Sequence, residues 1–186
     1  MNLPNILTFS RIALIPFMAL FMYIPYDWAG WLALSFYIII CVTDFFDGFL
    51  ARRLKQVSAL GTFLDPIADK ILVAATFLIL VDTAQLSGFM LIPVIVILVR
   101  EFLVSGLREF LGPKNIKVPV TFLAKCKTTL QMVAIGFLII GSVFYWAHIL
   151  GAILLVGAML VTIKTGYDYF QVAMPHLLTT EKEPSS

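Results

Sequence analysis

Asp44, Asp47, Gly48, Ala51 and Arg52, followed by Gly61, Asp65 and Asp69, form the pattern D-x2-D-G-x2-A-R-x8-G-x3-D-x3-D. The acids in it recur at three- and four-residue spacing, which gathers side chains on one face of an α-helix. Asp44 and Asp47 share one such face, Asp65 and Asp69 another, and a short connection between the two segments lets the faces meet. Four carboxylates converging in this way are hard oxygen ligands, suited to Mg²⁺, Mn²⁺ or Ca²⁺; with no His or Cys among them, zinc is disfavoured.

The small residues of the pattern matter as much as the acids. Gly48, Ala51 and Gly61 leave the helix surface open, so that a bulky ligand can come close to bound metal ions. Arg52 adds a planar cation suited to a phosphate oxygen or a bridging carboxylate. Metal ions, a guanidinium and open helix faces together point to a diphosphate site, where two ions would neutralise the ligand and polarise the phosphorus under attack. Structural ion pairing of the acids with Arg52, Arg53 and Lys70 is the plainer alternative. It accounts poorly for the whole pattern, because burying ion pairs seldom gains net stability after desolvation.

The elements that must position these residues are membrane helices. Of the 186 residues, 61% are hydrophobic and 13% charged, with a mean hydropathy of +0.99; a soluble domain of this length carries far more charge. Six apolar stretches are long enough to cross a bilayer: about 6–25, 31–53, 65–82, 89–111, 121–145 and 147–172. The expected class is therefore an all-α polytopic membrane protein with six transmembrane helices. Residues 1–178 form a single membrane-embedded catalytic domain and 179–186 a polar tail. Pro66 would fall in the first turn of the third span, where its missing N–H costs little. None of the 13 Lys and Arg residues lies in the turns near 26–30, 83–88 and 143–148. The positive-inside rule then places both termini and the 54–64 and 112–120 loops in the cytoplasm. Trp28, Trp31, Tyr145 and Trp146 fall where an external aromatic belt should. Gly151 and Gly157 read as helix-packing residues. The start has neither a basic n-region nor a cleavage site, and no Arg/Ser-rich presequence precedes the first span, which favours a bacterial plasma (inner) membrane and a retained first helix. A net charge of +2 without a basic run gives no case for nucleic acid. Cys41 and Cys126 have no spacing that implies a metal or a disulfide.

All eight positions of the aspartate pattern match the signature that the CDP-alcohol phosphotransferase family carries, and the chain resembles that family over nearly its whole length. The resemblance implies six transmembrane helices, a homodimer, and a CDP-lipid held at a site with two Mg²⁺ or Mn²⁺ ions. It implies that Asp44, Asp47, Asp65 and Asp69 ligate metal, that Asp69 is also the general base, and that Gly48, Ala51, Arg52 and Gly61 shape the cytidine diphosphate pocket. The opening Asn2-Leu3-Pro4-Asn5-Ile6-Leu7-Thr8 with Arg11, the Asp65–Lys70 and Arg100–Glu109 segments, and Lys125, Lys127, Thr128, Thr129 and Gln131 are similar to the branch of the family whose acceptor is glycerol 3-phosphate. In that branch Asn5 and Thr8 would lie near the nucleotide.

The charges support such an acceptor. Arg100 and Arg108 are a little over two helical turns apart and can share a broad face of the fourth span, while Lys125 and Lys127 begin the fifth span on the same membrane side. This cluster fits an acceptor that already carries a phosphate; inositol would not need it. The expected activity is transfer of the phosphatidyl group of CDP-diacylglycerol to glycerol 3-phosphate, with release of CMP. Rival readings are another acceptor (phosphatidylglycerol or inositol phosphate), an inactive scaffold, and a cation- or proton-coupled transporter. Against the transporter, the acids cluster at one surface and only Asp27 and Asp82 lie at the other. His148, His176 and Asp168 are expected to play no part in the chemistry.

Overall fold

A computed structural model describes residues 3–54, 59–112 and 122–178; the side chains of 3–7, 45–54, 59, 60, 62, 65, 176 and 178 fall outside the description. The described chain is helical, with no strand. Its six α-helices are α1 (Leu3–Met22), α2 (Asp27–Leu54), α3 (Ala59–Asp82), α4 (Leu91–Leu111), α5 (Phe122–Ile140) and α6 (Tyr145–Leu178). Four stretches are long and apolar enough to cross a membrane, Asp27–Asp44, Gly88–Leu111, Phe122–Ile140 and Tyr145–Pro175, and a shorter apolar helix covers Thr8–Met22. The protein is a membrane protein. Helix α3 is 24 residues long but carries Asp65, Asp69, Lys70 and Asp82, so it lacks the uniform apolarity of the other four.

Helix α5 packs most extensively on α6, and α1 on α2; α4 lies against α6, α1 against α3, and α2 against α5. The shared core is built from Met18, Ile40, Phe77, Leu80, Ile97, Ile135, Leu138 and Leu155. Large apolar side chains such as Leu20, Leu78, Ile95 and Leu160 point outward, as they can where the solvent is lipid. The glycines foreseen as packing residues are used that way. A Cβ on Gly151 would lie 2.9 Å from Leu138 Cγ and 3.0 Å from its backbone nitrogen, and one on Gly157 would lie 3.2 Å from Leu130 Cδ2.

Element boundaries differ from the expected ones in two instructive places. Helix α3 begins at Ala59, so Pro66 is inside the helix rather than in its first turn. An interior proline forfeits one backbone hydrogen bond, and helices packed among other helices tolerate that loss. Helix α5 stops at Ile140, five residues before the expected end of the fifth span. The chain turns through Gly141, whose missing Cβ admits His148, the nearest atoms to that position lying at 2.9 and 3.0 Å. Val143 and Phe144 are apolar, so hydropathy alone does not reveal this turn.

Exposed Trp28, Trp31, Tyr145 and Trp146 gather at the α1–α2 and α5–α6 turns, where Trp31 meets Phe144 edge-on at 5.8 Å. Asp168 is paired locally with Lys164 at 2.7 Å, one turn apart on α6. The expected tail at 179–186, the 112–120 and 54–64 loops over residues 55–58 and 113–120, and the side chain of His176 lie outside the described residues.

Candidate active site

Helices α1, α2 and α3 meet at Arg11. Its guanidinium is fully buried, and Nη1 donates to Asp44 Oδ1 and, at 3.0 Å, to Asp69 Oδ1. The three residues lie at matching depth, since each sits about two to three turns from the helix end on the same side of the bundle. Asp44 is 28% exposed and Asp69 52%, so both carboxylates remain open to a ligand while sharing one buried cation. Thr8, one turn from Arg11 on α1, is buried, and so is Gly61 on α3. Asp47, Gly48, Ala51 and Arg52 lie on the last turns of α2, Asp65 lies one turn before Asp69 on α3, and Asn5 lies near the start of α1. Their side chains are outside the described residues.

Among the described residues no group of three or more His, Cys, Asp or Glu could hold a metal ion. The described pair nevertheless has the right chemistry for one. Asp44 and Asp69 present hard carboxylate oxygens from two helices, and in this structure the buried Arg11 is the positive partner that such oxygens require at membrane depth.

The second half of the site is cationic and is built by α4, α5 and α6. Arg100 Nη1 lies 3.3 Å from Glu101 Oε1, and Nη2 donates to Thr165 Oγ1 at 3.3 Å. Lys127 Nζ also donates to Glu101, so one carboxylate on α4 holds two cations. Tyr169 on α6 lies between the arginines. The guanidinium carbons of Arg100 and Arg108 are 5.6 and 5.1 Å from its ring centre, and Arg108 Nη2 donates to its hydroxyl. Lys125 and Lys127 are two residues apart and therefore on different sides of α5. Lys127 is buried and Lys125 exposed.

A cavity of about 500 Å³ joins the two halves. Asp44 and Asp69 line one part of it and Arg100, Arg108, Lys125 and Lys127 another, with Lys70 and Glu101 also on its wall. The cavity thus contains every described carboxylate of the aspartate pattern and all four expected phosphate-binding cations.

Sequence reasoning did not assign roles to Arg11, Glu101 or Tyr169. Arg11 carries a readable signal, because it is the only Asp, Glu, Lys, Arg or His within the first span and intramembrane charge usually marks a site. Glu101 is adjacent to Arg100 and is readable as its partner. Tyr169 has no such signal, since nothing in a Tyr-Asp-Tyr run tells which ring turns inward.

A family model described as CDP-alcohol phosphatidyltransferase matches residues 1–163. A relative from Rickettsia bellii is 45% identical over 173 residues, covering 91% of this chain and 94% of its own length. One from Cereibacter sphaeroides is 39% identical, with coverage of 95% and 97%, and one from Shigella flexneri is 38% identical, with the same coverage. All three bear the name CDP-diacylglycerol–glycerol-3-phosphate 3-phosphatidyltransferase.

Proposed function

Because the chain belongs to the CDP-alcohol phosphatidyltransferase family, we infer that it is the enzyme that transfers the phosphatidyl group of CDP-diacylglycerol to glycerol 3-phosphate, giving phosphatidylglycerophosphate and CMP in phospholipid biosynthesis. Its relatives carry that activity in their names over nearly the full length of both chains. The observation that carries the reading is a single cavity lined both by Asp44 and Asp69 and by Arg100, Arg108, Lys125 and Lys127. It provides for two anionic substrates and brings them together.

The donor diphosphate belongs at the carboxylate end, with Asn5, Thr8, Gly48, Ala51, Arg52 and Gly61 around the cytidine and its phosphates. Two divalent ions held by Asp44, Asp47, Asp65 and Asp69, Mg²⁺ or Mn²⁺, would offset the charge of the diphosphate and of the departing CMP. Arg11 fixes the spacing of Asp44 and Asp69 from below. Arg100, Arg108, Lys125 and Lys127 hold the phosphate of glycerol 3-phosphate, and Tyr169 and Glu101 keep the arginines and Lys127 oriented. Confining both substrates to one cavity supplies much of the rate advantage by orientation. Asp69 then accepts the proton of the attacking primary hydroxyl. The acceptor oxygen bonds to the lipid-bearing β-phosphorus as that atom's bond to the bridging oxygen breaks, and CMP leaves with the electron pair. A carboxylate beside cations is a weak base, so Asp69 acts by positioning the hydroxyl as well as by taking its proton.

The arrangement in the membrane follows the same reading. All six helices span it, residues 1–178 act as one catalytic domain, and both termini and the site face the cytoplasm of a plasma (inner) membrane. The helix connectivity supports this, because the outer ends of α1 and α6 lie on the side of the site and the opposite turns carry no Lys or Arg. The protein acts as a homodimer, as the family resemblance implies. Labelled glycerol 3-phosphate, inositol phosphate and phosphatidylglycerol, each offered with CDP-diacylglycerol to the purified enzyme, test the acceptor. Label should enter lipid from glycerol 3-phosphate; preferential use of either rival acceptor would overturn the reading.

A further inference from the structure

One polar group on the cavity wall has no place in that scheme. Gln131 lies one turn beyond Lys127 on α5 and is 3% exposed. It lines the same cavity as Asp69, Arg100 and Lys127, yet its Oε1 is buried with no hydrogen-bond partner among the described residues. Buried amide oxygens are almost always satisfied, and an orphan beside a cavity calls for a donor from outside the described side chains, which a bound ligand can supply. The hydrogen bonds of Arg100 Nη1 and Nη2, Arg108 and Lys127 go to Glu101, Thr165 and Tyr169 rather than to this amide, and Arg100 Nε on the same cavity is likewise buried without a partner among the described residues.

Geometry limits what the ligand group can be. Lys127 and Gln131 stand about 6 Å apart along the helix, comparable to the reach of a three-carbon phosphate ester. Both residues share one face of α5 and line the same cavity, so the carbon chain of a phosphate ester held at Lys127 and Arg100 can reach the amide. One hydroxyl of glycerol 3-phosphate is consumed in the reaction as the nucleophile near Asp69. The other, secondary hydroxyl is a neutral donor with no assigned partner, and a neutral amide oxygen suits it better than any of the surrounding charges. Resting on the acceptor reading above, we propose that Gln131 is a specificity-determining residue whose Oε1 accepts a hydrogen bond from the secondary hydroxyl of the acceptor. It thereby selects a vicinal diol phosphate over a simple hydroxyalkyl phosphate.

The test compares glycerol 3-phosphate with 3-hydroxypropyl phosphate, which keeps the phosphate and the primary hydroxyl and lacks the secondary one. In the full-length enzyme with CDP-diacylglycerol, kcat/KM should favour glycerol 3-phosphate by about 10- to 100-fold, because the analogue leaves the buried oxygen unpaired. In Gln131→Met, which keeps the side-chain length and removes the acceptor, that ratio should collapse to within about threefold of unity. A wild-type enzyme that uses both acceptors equally overturns the proposal without any variant, and so settles the matter even if Gln131→Met does not fold. A folded Gln131→Met enzyme that retains the wild-type ratio also overturns it. Failure of the underlying reading looks different: the wild type would then incorporate neither acceptor.

Discussion

Lys127→Met separates acceptor binding from everything else the cavity does. Lys127 is 4% exposed in its side chain and shares Glu101 with Arg100. An ammonium and a phosphate oxygen about 4 Å apart attract by about 4 kcal/mol at an effective dielectric near 20. Glu101 already offsets part of the Lys127 charge, and Arg100 remains, so the net loss to the bound acceptor should be about 1.5–3 kcal/mol, the range for hydrogen bonds to charged groups. That corresponds to a fall of about 10- to 150-fold in kcat/KM for glycerol 3-phosphate. The cost to the fold is smaller. Glu101 keeps Arg100 at 3.3 Å, so no carboxylate is orphaned, and a loss of about 1 kcal/mol would lower Tm by about 2–4 °C. Steady-state kinetics with each substrate varied in turn provides the assay. KM for glycerol 3-phosphate should rise while KM for CDP-diacylglycerol stays within about twofold, since uniform binding of one substrate has been removed. An equal loss for both substrates, or none for the acceptor, would refute the assignment of Lys127 to the acceptor phosphate.

Three further outcomes are expected. Asp69→Asn should lower CMP release by about 10²- to 10⁴-fold, the usual range for a positioned proton acceptor; purified variant with full CMP release would remove Asp69 from that role. Tyr169→Phe loses only the hydroxyl that Arg108 contacts, whereas Tyr169→Leu also loses the ring beside Arg100 and Arg108; KM for glycerol 3-phosphate should rise in that order, by about threefold and then about tenfold or more, and a reversed order would contradict the orienting role. Gly151→Ala places a methyl group 3.0 Å from the Leu138 backbone nitrogen, while Gly157→Ala meets only the end of the Leu130 side chain. Overpacking should therefore cost the first variant about 1–3 kcal/mol and the second about 1 kcal/mol or less, which thermal unfolding in detergent reads directly.

The sequence is most informative where chemistry constrains it. Charged residues at membrane depth are few, so Asp44, Asp69 and Arg100 stand out by type alone, and helical spacing is enough to pair them into faces. In the structure Asp44 and Asp69 line the same cavity as Arg100, Arg108, Lys125 and Lys127. What spacing cannot give is the partner chosen across helices. Arg11 reaches Asp44 and Asp69 from 33 and 58 residues away, and Tyr169 reaches Arg108 from 61; these contacts depend on how α1 and α6 pack. Helix ends are hidden for a different reason. Within an apolar chain the residues that turn, such as Val143 and Phe144, look like those that span, and Pro66 is accommodated in a helix interior.

The central claim is that one cavity holds the donor diphosphate at the aspartates and the acceptor phosphate at the arginines and lysines. Diffraction from crystals of the full chain grown with Mn²⁺, CDP (which keeps the diphosphate and carries no phosphatidyl group to transfer) and glycerol 3-phosphate tests it most directly, using the anomalous signal of manganese and the density of the acceptor. The account predicts manganese within about 2.0–2.5 Å of Asp44 and Asp69 oxygens and the acceptor phosphate between Arg100, Arg108 and Lys127. Manganese away from those aspartates, or an acceptor phosphate bound outside this cavity, would contradict it.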